Sequence, residues 1–430
     1  ACCRSPAGVR CDPVRLGSHS YHIRAPHEPC GSPLCGRTRA RGSRSFLTTY
    51  SHHYSHLRIR RAYHMKDPSY KPVIMQRGKS LETVRVWENI GKKNCGGNTF
   101  KFNVVSYNVL AQCLLEEHPY LYTCSEPTSL DWSLRSDRLY NELISLAPDI
   151  FCLQEVQELH LGTFYSRFEE IGYSGVFKKK TGNRSDGCAI YYRNSMFQLK
   201  DQLNVEFSQP NLHLLNRDNI GLIVKLTLRD NPESDIVIAT THLLYNPRRS
   251  DVRLAQIRLF LTEIERFSYC KTENDSGYLP IILTGDFNAH PESMEIQLLD
   301  RIGVTEKCHD LKIYNSEYSK AAGATKNDVI DQQNMELFKS GIISHPFDLV
   351  SVYTKYKADG STEATTFQGY WLTVDYIYFS KCSSLHVTDR LRLPTVQECA
   401  DGLGRMPNSI CGSDHFSLSA VFEFTPKDVQ

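Results

Sequence analysis

Long hydrophobic runs are missing from this sequence. No apolar stretch in its 430 residues approaches the roughly 20 that a membrane span requires, and none reads as an apolar membrane-docking segment. Charge of one sign is not in excess either, with 50 Lys and Arg against 48 Asp and Glu. That balance conceals an uneven distribution. Residues 1–62 hold eleven Arg, no Lys and only two acids, Asp12 and Glu28. The rest of the chain is therefore net acidic, and a polyanion would be handled there by a local site and a divalent cation, not by a global positive field. Paired cysteine spacing is also absent. Ten of the 15 Cys lie after residue 90, scattered as Cys95, Cys113, Cys124, Cys152, Cys188 and onward. This is reduced, intracellular usage and not a disulfide framework. "CGSPLC" (Cys30–Cys35) has no second pair nearby at zinc spacing.

What is present divides the chain in two. Residues 1–75 lack hydrophobic periodicity and read as a basic Arg/Ser-rich leader. Its Arg-rich, acid-poor composition fits a mitochondrial transit peptide and an ordinary disordered tail alike, so mitochondrion, cytoplasm and nucleus all stay open as destinations. From about residue 80 to 425 the pattern is that of one folded domain. "FKFNVVSYNVLA", "DIFCLQEV", "DGCAIYYR", "NIGLIVKLTL", "DIVIATTHLL", "LPIILTGDFN", "FDLVSVY", "TVDYIYFS" and "HFSLSAVFEF" read as strands. Helices are predicted over 135–148, ending at Pro148, and over 250–267, with Ser250 or Asp251 as N-cap. Residues 300–345 are polar and weakly patterned. Strands with unevenly interleaved helices predict an α/β or α+β layering around two sheets.

The informative feature is where the polar residues fall. Apolar runs end in Asn108, in Gln154-Glu155, in His242 and in Asp286 with Asn288; Asp375 lies within "LTVDYIYF", and Asp414-His415 precede "FSL". Each has an ordinary reading by itself: a surface acid, a satisfied histidine, a helix cap. Buried together, such groups are unfavourable unless paired or bound to a cation, so their recurrence predicts strand ends converging on one site. "TGDFNA" is the most specific stretch. Strand alternation would place Asp286 and Asn288 on one side, and Gly285 would let the backbone approach a ligand closely.

In order, "SYNVLA", "CLQEV", "DGCAIYYR", "DNIGLIV", "TTHLLYNPRRSDVRLAQ", "TGDFNAHPES", "VDYIYF" and "SDHFSL" resemble the endonuclease/exonuclease/phosphatase superfamily. They resemble its deadenylase-like branch in particular. "THLLYNPRR" and "RVWENI" (Arg85–Ile90) are similar to the Angel group within it. The resemblance implies a four-layer sandwich, two packed mixed sheets flanked by helices. It implies a Mg²⁺-dependent hydrolase (Mn²⁺ as a substitute) with Glu155 as metal ligand, supported by Asn108 and Asp414. Asp286 would deprotonate the attacking water and Asn288 would hold water or phosphate. His415, its tautomer fixed by Asp375, would donate to a phosphoryl oxygen, and His242 and Asn219 would add donors. Pro247 and Tyr370, with Trp371 alongside, occupy the places where the branch sandwiches a base, and Arg248 and Arg249 could grip phosphates. One position departs from the abasic-site nucleases, which carry an acid where Leu110 stands; this argues against DNA-repair chemistry and leaves one or two metal ions open.

The expected substrate is an RNA 3′ end. Likeness to the Angel group favours hydrolysis of terminal 2′,3′-cyclic phosphates, and likeness to deadenylases favours stepwise 3′→5′ removal of adenylates. A silent RNA-binding or translation adaptor and a lipid or inositol phosphatase are the readings from other classes. The first would usually have lost Glu155, Asp286 or His415.

Overall fold

The structure is a computed structural model that describes residues 84–91, 99–123, 125–210, 212–271, 276–300 and 343–426. The leader, the Cys30–Cys35 pair and most of the polar stretch after residue 300 lie outside the described residues.

Among the described residues, thirteen strands build the two large sheets. They are β1 (Trp87–Asn89), β2 (Phe100–Asn108), β3 (Ile150–Gln157), β4 (Tyr173–Lys179), β5 (Asp186–Arg193), β6 (Phe197–Glu206) and β7 (Ile220–Leu228). The rest are β8 (Asn231–His242), β9 (Ile281–Asp286), β10 (Leu349–Ser351), β11 (Asp375–Ser380), β12 (Leu385–Leu391) and β13 (Leu418–Phe424). One sheet runs β1-β12-β13-β2-β3-β5-β4, the other β10-β11-β9-β8-β7-β6. Both are mixed: β2 pairs parallel with β3 and β8 parallel with β9, while the other pairings are antiparallel.

The strands are apolar on both faces because both faces are covered. Phe102, Val104, Ile150, Cys152 and Ile190 of the first sheet pack against Leu222, Val224, Ile238, Ile282 and Ile377 of the second, making the central core. The alternate residues face outward. Val105, Tyr107, Phe151 and Leu153 pack against Leu139 and Leu143 of helix α1 (Trp132–Leu146) and against Phe164 and Phe168. Ile223, Val237, Ala239 and Leu283 pack against Val252, Phe260 and Ile264 of helix α2 (Ser250–Ser268) and Ile296 of helix α3 (Met294–Asp300). Period-two alternation with apolar residues in both phases is thus the signature of a buried strand, and the four layers follow: helices, sheet, sheet, helices. The expected sandwich is the observed one.

Details differ from expectation. Helix α1 starts three residues earlier than predicted, where Asp131 accepts from the Ser133 amide at 2.8 Å as N-cap. The N-cap of α2 is Arg249, not Ser250 or Asp251. Both hydroxyl and carboxylate are committed elsewhere: Ser250 donates to Glu295 at 2.9 Å and Asp251 pairs with Arg249 at 2.9 Å. Strands β4, β6 and β12 were not predicted: their residues are only partly buried, which dilutes the apolar signal, and β4 and β6 are edges of their sheets. The described cysteines Cys113, Cys152, Cys188, Cys270, Cys382, Cys399 and Cys411 are free thiols. Among the described residues, no helix is long and apolar enough to cross a membrane.

Candidate active site

Sheet register does most of the positioning. In the second sheet, Asp286 at the end of β9 lies in register with His242 on the parallel strand β8 and with Asp375 on the antiparallel strand β11. Three polar groups therefore stand side by side on neighbouring strands. In the first sheet, Asn108 at the end of β2 lies opposite Gln154 on β3, with Glu155 next. Asp414 and His415 enter from the segment that precedes β13, which pairs antiparallel with β2. Asn108, Glu155, His242 and Asp286 come from the C-terminal parts of their strands. Asp375, Asp414-His415 and Asn219 precede or open their strands, because β11, β13 and β7 run antiparallel to the neighbours that carry the others.

Glu155 reaches the site through a defect in the sheet. The register of β3 against β5 slips between Gln154 and Val156, and Glu155, the extra residue, adopts a left-handed φ of 59°. A bulge of this kind re-aims the side chain out of the strand's alternation. The carboxylate is then fixed by Asn108 Nδ2 at 2.9 Å on Oε1 and the Ala111 amide at 2.9 Å on Oε2. Gln154, the neighbour, instead donates to Thr240 Oγ1 at 2.9 Å and ties the two sheets together.

Asn108 also donates to Asp286 Oδ2 at 3.0 Å, so one amide clamps two carboxylates from different sheets. The other oxygen of Asp286 accepts from the Asn288 amide at 2.9 Å. This corrects the expected geometry of "TGDFNA". β9 ends at Asp286, and Asn288 lies beyond it with φ 48°; the pair forms a tight Asx-type turn, not two steps of one strand. The Asn288 side chain donates to Leu243 O at 3.1 Å. Gly285 is needed for a different reason than expected. With φ 149°, its missing Cβ would stand 2.1 Å from Thr241 O, so glycine admits the adjacent strand and not a ligand.

The imidazoles complete the cluster. His415 Nδ1 lies 2.9 Å from Asp375 Oδ2, and its Nε2 is 3.7 Å from Asp286 Oδ2 and 4.0 Å from Asp414 Oδ1. His242 Nε2 is 3.6 Å from Asp286 Oδ2, and its Nδ1 is 4.0 Å from Glu155 Oε1 and buried without a hydrogen bond. Asn219 donates to His242 O at 3.0 Å and accepts from Gln256, which orients it. Glu155, His242, Asp286, Asn288, Asn219, Asp414 and His415 line one cavity of about 570 Å³. Asn108 and Asp375 act on it through the groups they hold.

Burial sets the charges. It pushes the Asp286 carboxyl up to about 7, with the Asp375 carboxylate adding to the effect, and it raises Glu155 as well. His242 is held well below its ordinary value by burial, by Lys180 and by His415, so it is neutral. Burial would also lower His415, but the Asp375 carboxylate overcomes it and holds the imidazole well above its ordinary value, hence protonated at neutral pH.

Three contributors escaped sequence reasoning. Lys180, in the run "KKKTGNR" (178–184), is nearly buried; it pairs with Asp186 at 2.6 Å and lies within electrostatic reach of Glu155. Arg135 is wholly buried and donates to Gly412 O, Val109 O, Leu110 O and Gln112 Oε1 at 2.6–2.8 Å, joining the first motif to the last. Tyr122 donates to Asp414 Oδ2 at 2.9 Å. No local pattern announces any of them. Conversely, Pro247 and Arg248 are exposed and, like Tyr370, are not among the residues lining the cavity; Tyr245, Asn246 and Phe367 are. Trp371 is structural, stacked on Phe416 at 5.6 Å and 6°.

A four-layer α/β sandwich whose two sheets deliver carboxylates, amides and a carboxylate-backed imidazole to one cavity defines a phosphoesterase of the metal-dependent kind. The model of the Endonuclease/Exonuclease/phosphatase family matches residues 105–415. Protein angel of Drosophila melanogaster is 37% identical over 367 residues, covering 81% of this chain and 90% of that protein. Human protein angel homolog 2 is 32% identical over 390 residues, covering 76% and 70%. The crystal structure of ANGEL2, a 2′,3′-cyclic phosphatase, in complex with adenosine-2′,3′-vanadate superposes with a TM-score of 0.67 at 34% identity, over 79% of this chain and 99% of that one. The chain belongs to the endonuclease/exonuclease/phosphatase family, among the Angel proteins.

Proposed function

We propose that this protein hydrolyses 2′,3′-cyclic phosphates at RNA 3′ ends with the help of Mg²⁺, for which Mn²⁺ can substitute. The observation that carries the reading is likeness to ANGEL2, a 2′,3′-cyclic phosphatase, over nearly the whole of that chain, joined to a cavity lined by Glu155, Asp286, Asp414 and His415.

The residues present suit a hard divalent cation. Glu155 and Asp414 offer oxygen donors, and Asn108 holds Glu155 in place. Burial raises Glu155, so a neighbouring positive charge favours its ionised form. Asp286, Asp375 and His415 also bring ligand atoms within 4.8 Å of one another. There, however, Asp375 already occupies His415 Nδ1, which makes that trio a proton-handling unit. When bound, the cation would offset charge on the phosphoryl oxygens and help orient water.

The chain's own residues account for the rest. Asp286, near neutrality in its affinity for protons, accepts one from the attacking water. Its backbone partner at Asn288 and its side-chain partner Asn108 fix both oxygens, so the accepting lone pair is aimed. His415, protonated and locked by Asp375, donates from Nε2 to a phosphoryl oxygen, where charge grows in the transition state. Water adds to phosphorus, one ring P–O bond breaks, and the departing ribose oxygen takes up a proton, leaving a phosphomonoester. Neutral His242, beside Asp286 and Glu155, and Asn219 supply further polar contacts.

The test presents protein and Mg²⁺ with two oligonucleotides, one ending in a 2′,3′-cyclic phosphate and one in unmodified adenylates. Opening of the cyclic end with the adenylate tail intact is expected. Shortening of the tail with the cyclic end untouched would replace this reading by deadenylation.

A further inference from the structure

The chemistry above leaves a cluster of large aromatic surface at the cavity mouth without a task. Tyr120 is 67% exposed and Tyr245 50%. Tyr245 lines the cavity, and so do His118 and Leu121, which flank Tyr120 in the chain. The Tyr120 ring meets that of His118 edge-on at 5.7 Å. The phenols of Tyr120 and Tyr370 both lie within electrostatic reach of Tyr245. Tyr370 is expected there from the family resemblance; Tyr120 and Tyr245 are not. Solvent-exposed aromatics gathered at one cavity mark a binding surface.

The turn that carries Tyr120 is pinned to the site. Pro119 opens a single 3₁₀ turn, Pro119–Leu121. Tyr122, the next residue, is buried with Leu110 and Leu115, and its hydroxyl reaches Asp414. The backbone at Tyr120 is therefore held at the rim, and its ring rests edge-on against His118. An aromatic carried on an anchored turn presents its face to a planar partner with less chain ordering to be done on binding.

We infer that Tyr120 and Tyr245 form a stacking platform for the nucleobase preceding the reacting 3′ end. The inference rests on the RNA 3′-end reading above and deepens it. The occupant follows from what shares the cavity: Arg184, which also approaches Asp218 at 3.8 Å, and Arg217 line it together with Tyr245 and Phe367. Cations beside exposed rings match a chain of phosphates carrying π-faced bases. Stacking of this sort tolerates any base, so the platform confers preference for an oligonucleotide end over a mononucleotide, not for a sequence.

The experiment compares the wild type with Tyr120→Ala, Tyr245→Ala and the ring-preserving Tyr120→Trp and Tyr245→Trp. It measures kcat/KM on a hexanucleotide ending in a 2′,3′-cyclic phosphate and on adenosine 2′,3′-cyclic phosphate, and, by fluorescence anisotropy, affinity for a labelled hexanucleotide. Each alanine variant is expected to lower the hexanucleotide-to-mononucleoside ratio about tenfold, mainly through KM, and to weaken hexanucleotide binding by a similar factor. The Trp variants are expected to restore both. Ratios and affinities within about twofold of wild type in the alanine variants would overturn the platform. A wild type that turns over neither cyclic phosphate would instead overturn the proposed function, and the binding arm would still judge the platform.

Discussion

Replacing Asp286 by Asn separates what the site does for catalysis from what it does to stability. The carboxyl is 1% exposed and its pKa stands at about 7 instead of 3.8, chiefly through burial. A folded-state pKa above the unfolded one means that the native protein binds the extra proton between those values. Stability is therefore lost as pH rises from about 4 to about 7, and the full penalty is in place above that window. A displacement of about three pH units corresponds to about 4 kcal/mol at pH 8 and about 2 kcal/mol at pH 5. Asn carries no such penalty, but it cannot accept from both Asn108 Nδ2 and the Asn288 amide, which its predecessor does at 3.0 and 2.9 Å. Losing one of those bonds removes about 1.5–3 kcal/mol at pH 8, where the carboxylate makes it charge-assisted, and about 1 kcal/mol at pH 5, where the carboxyl is mostly protonated. Without metal, in EDTA, Asp286→Asn is thus expected to be about 1–3 kcal/mol more stable than wild type at pH 8. That advantage should shrink to about 1 kcal/mol or less at pH 5, and turnover should be lost at both. Urea unfolding at the two pH values measures this. A stability difference that is the same at pH 5 and pH 8 would refute the claim that the fold holds Asp286 as a destabilised base.

Two further outcomes follow from the same geometry. Glu155→Ala should abolish turnover, as EDTA should in the wild type, with Mg²⁺ or Mn²⁺ restoring the latter; Mg²⁺ should raise the melting temperature of the wild type but not of the variant, and an undiminished rise in the variant would remove Glu155 from the metal site. Arg135→Met leaves four acceptors inside the protein without their donor, so unfolding free energy should fall by about 3–5 kcal/mol; a loss below about 1 kcal/mol would show that Arg135 is dispensable to the join between the first and last motifs.

The layered architecture was legible because it is written in local alternation. "IFCL" (150–153), "IVIA" (236–239) and "IIL" (281–283) are apolar in both phases, which only a strand covered on both faces tolerates, and the polar residues that end such runs had to meet something. Asn108, Glu155, His242, Asp286, Asp375 and His415 were therefore identifiable as a set, and the structure does bring them together.

What the chain could not reveal locally is how each group arrives. Asp286 faces Asp375 and His242 because of register with residues 89 and 44 positions away in the chain, a property of pairing and not of spacing. Glu155 turns inward at a bulge, Asn288 bonds its own neighbour, and Gly285 yields to a carbonyl of β8, none of which follows from period two. Lys180, Arg135 and Tyr122 look like surface or loop residues until long-range packing removes water from around them. Sequence by itself determined which faces are buried and which polar residues must share a site, since hydrophobic burial acts residue by residue. Only the tertiary structure decided their distances, proton affinities and partners, since those depend on the field of groups that the chain brings together from far apart.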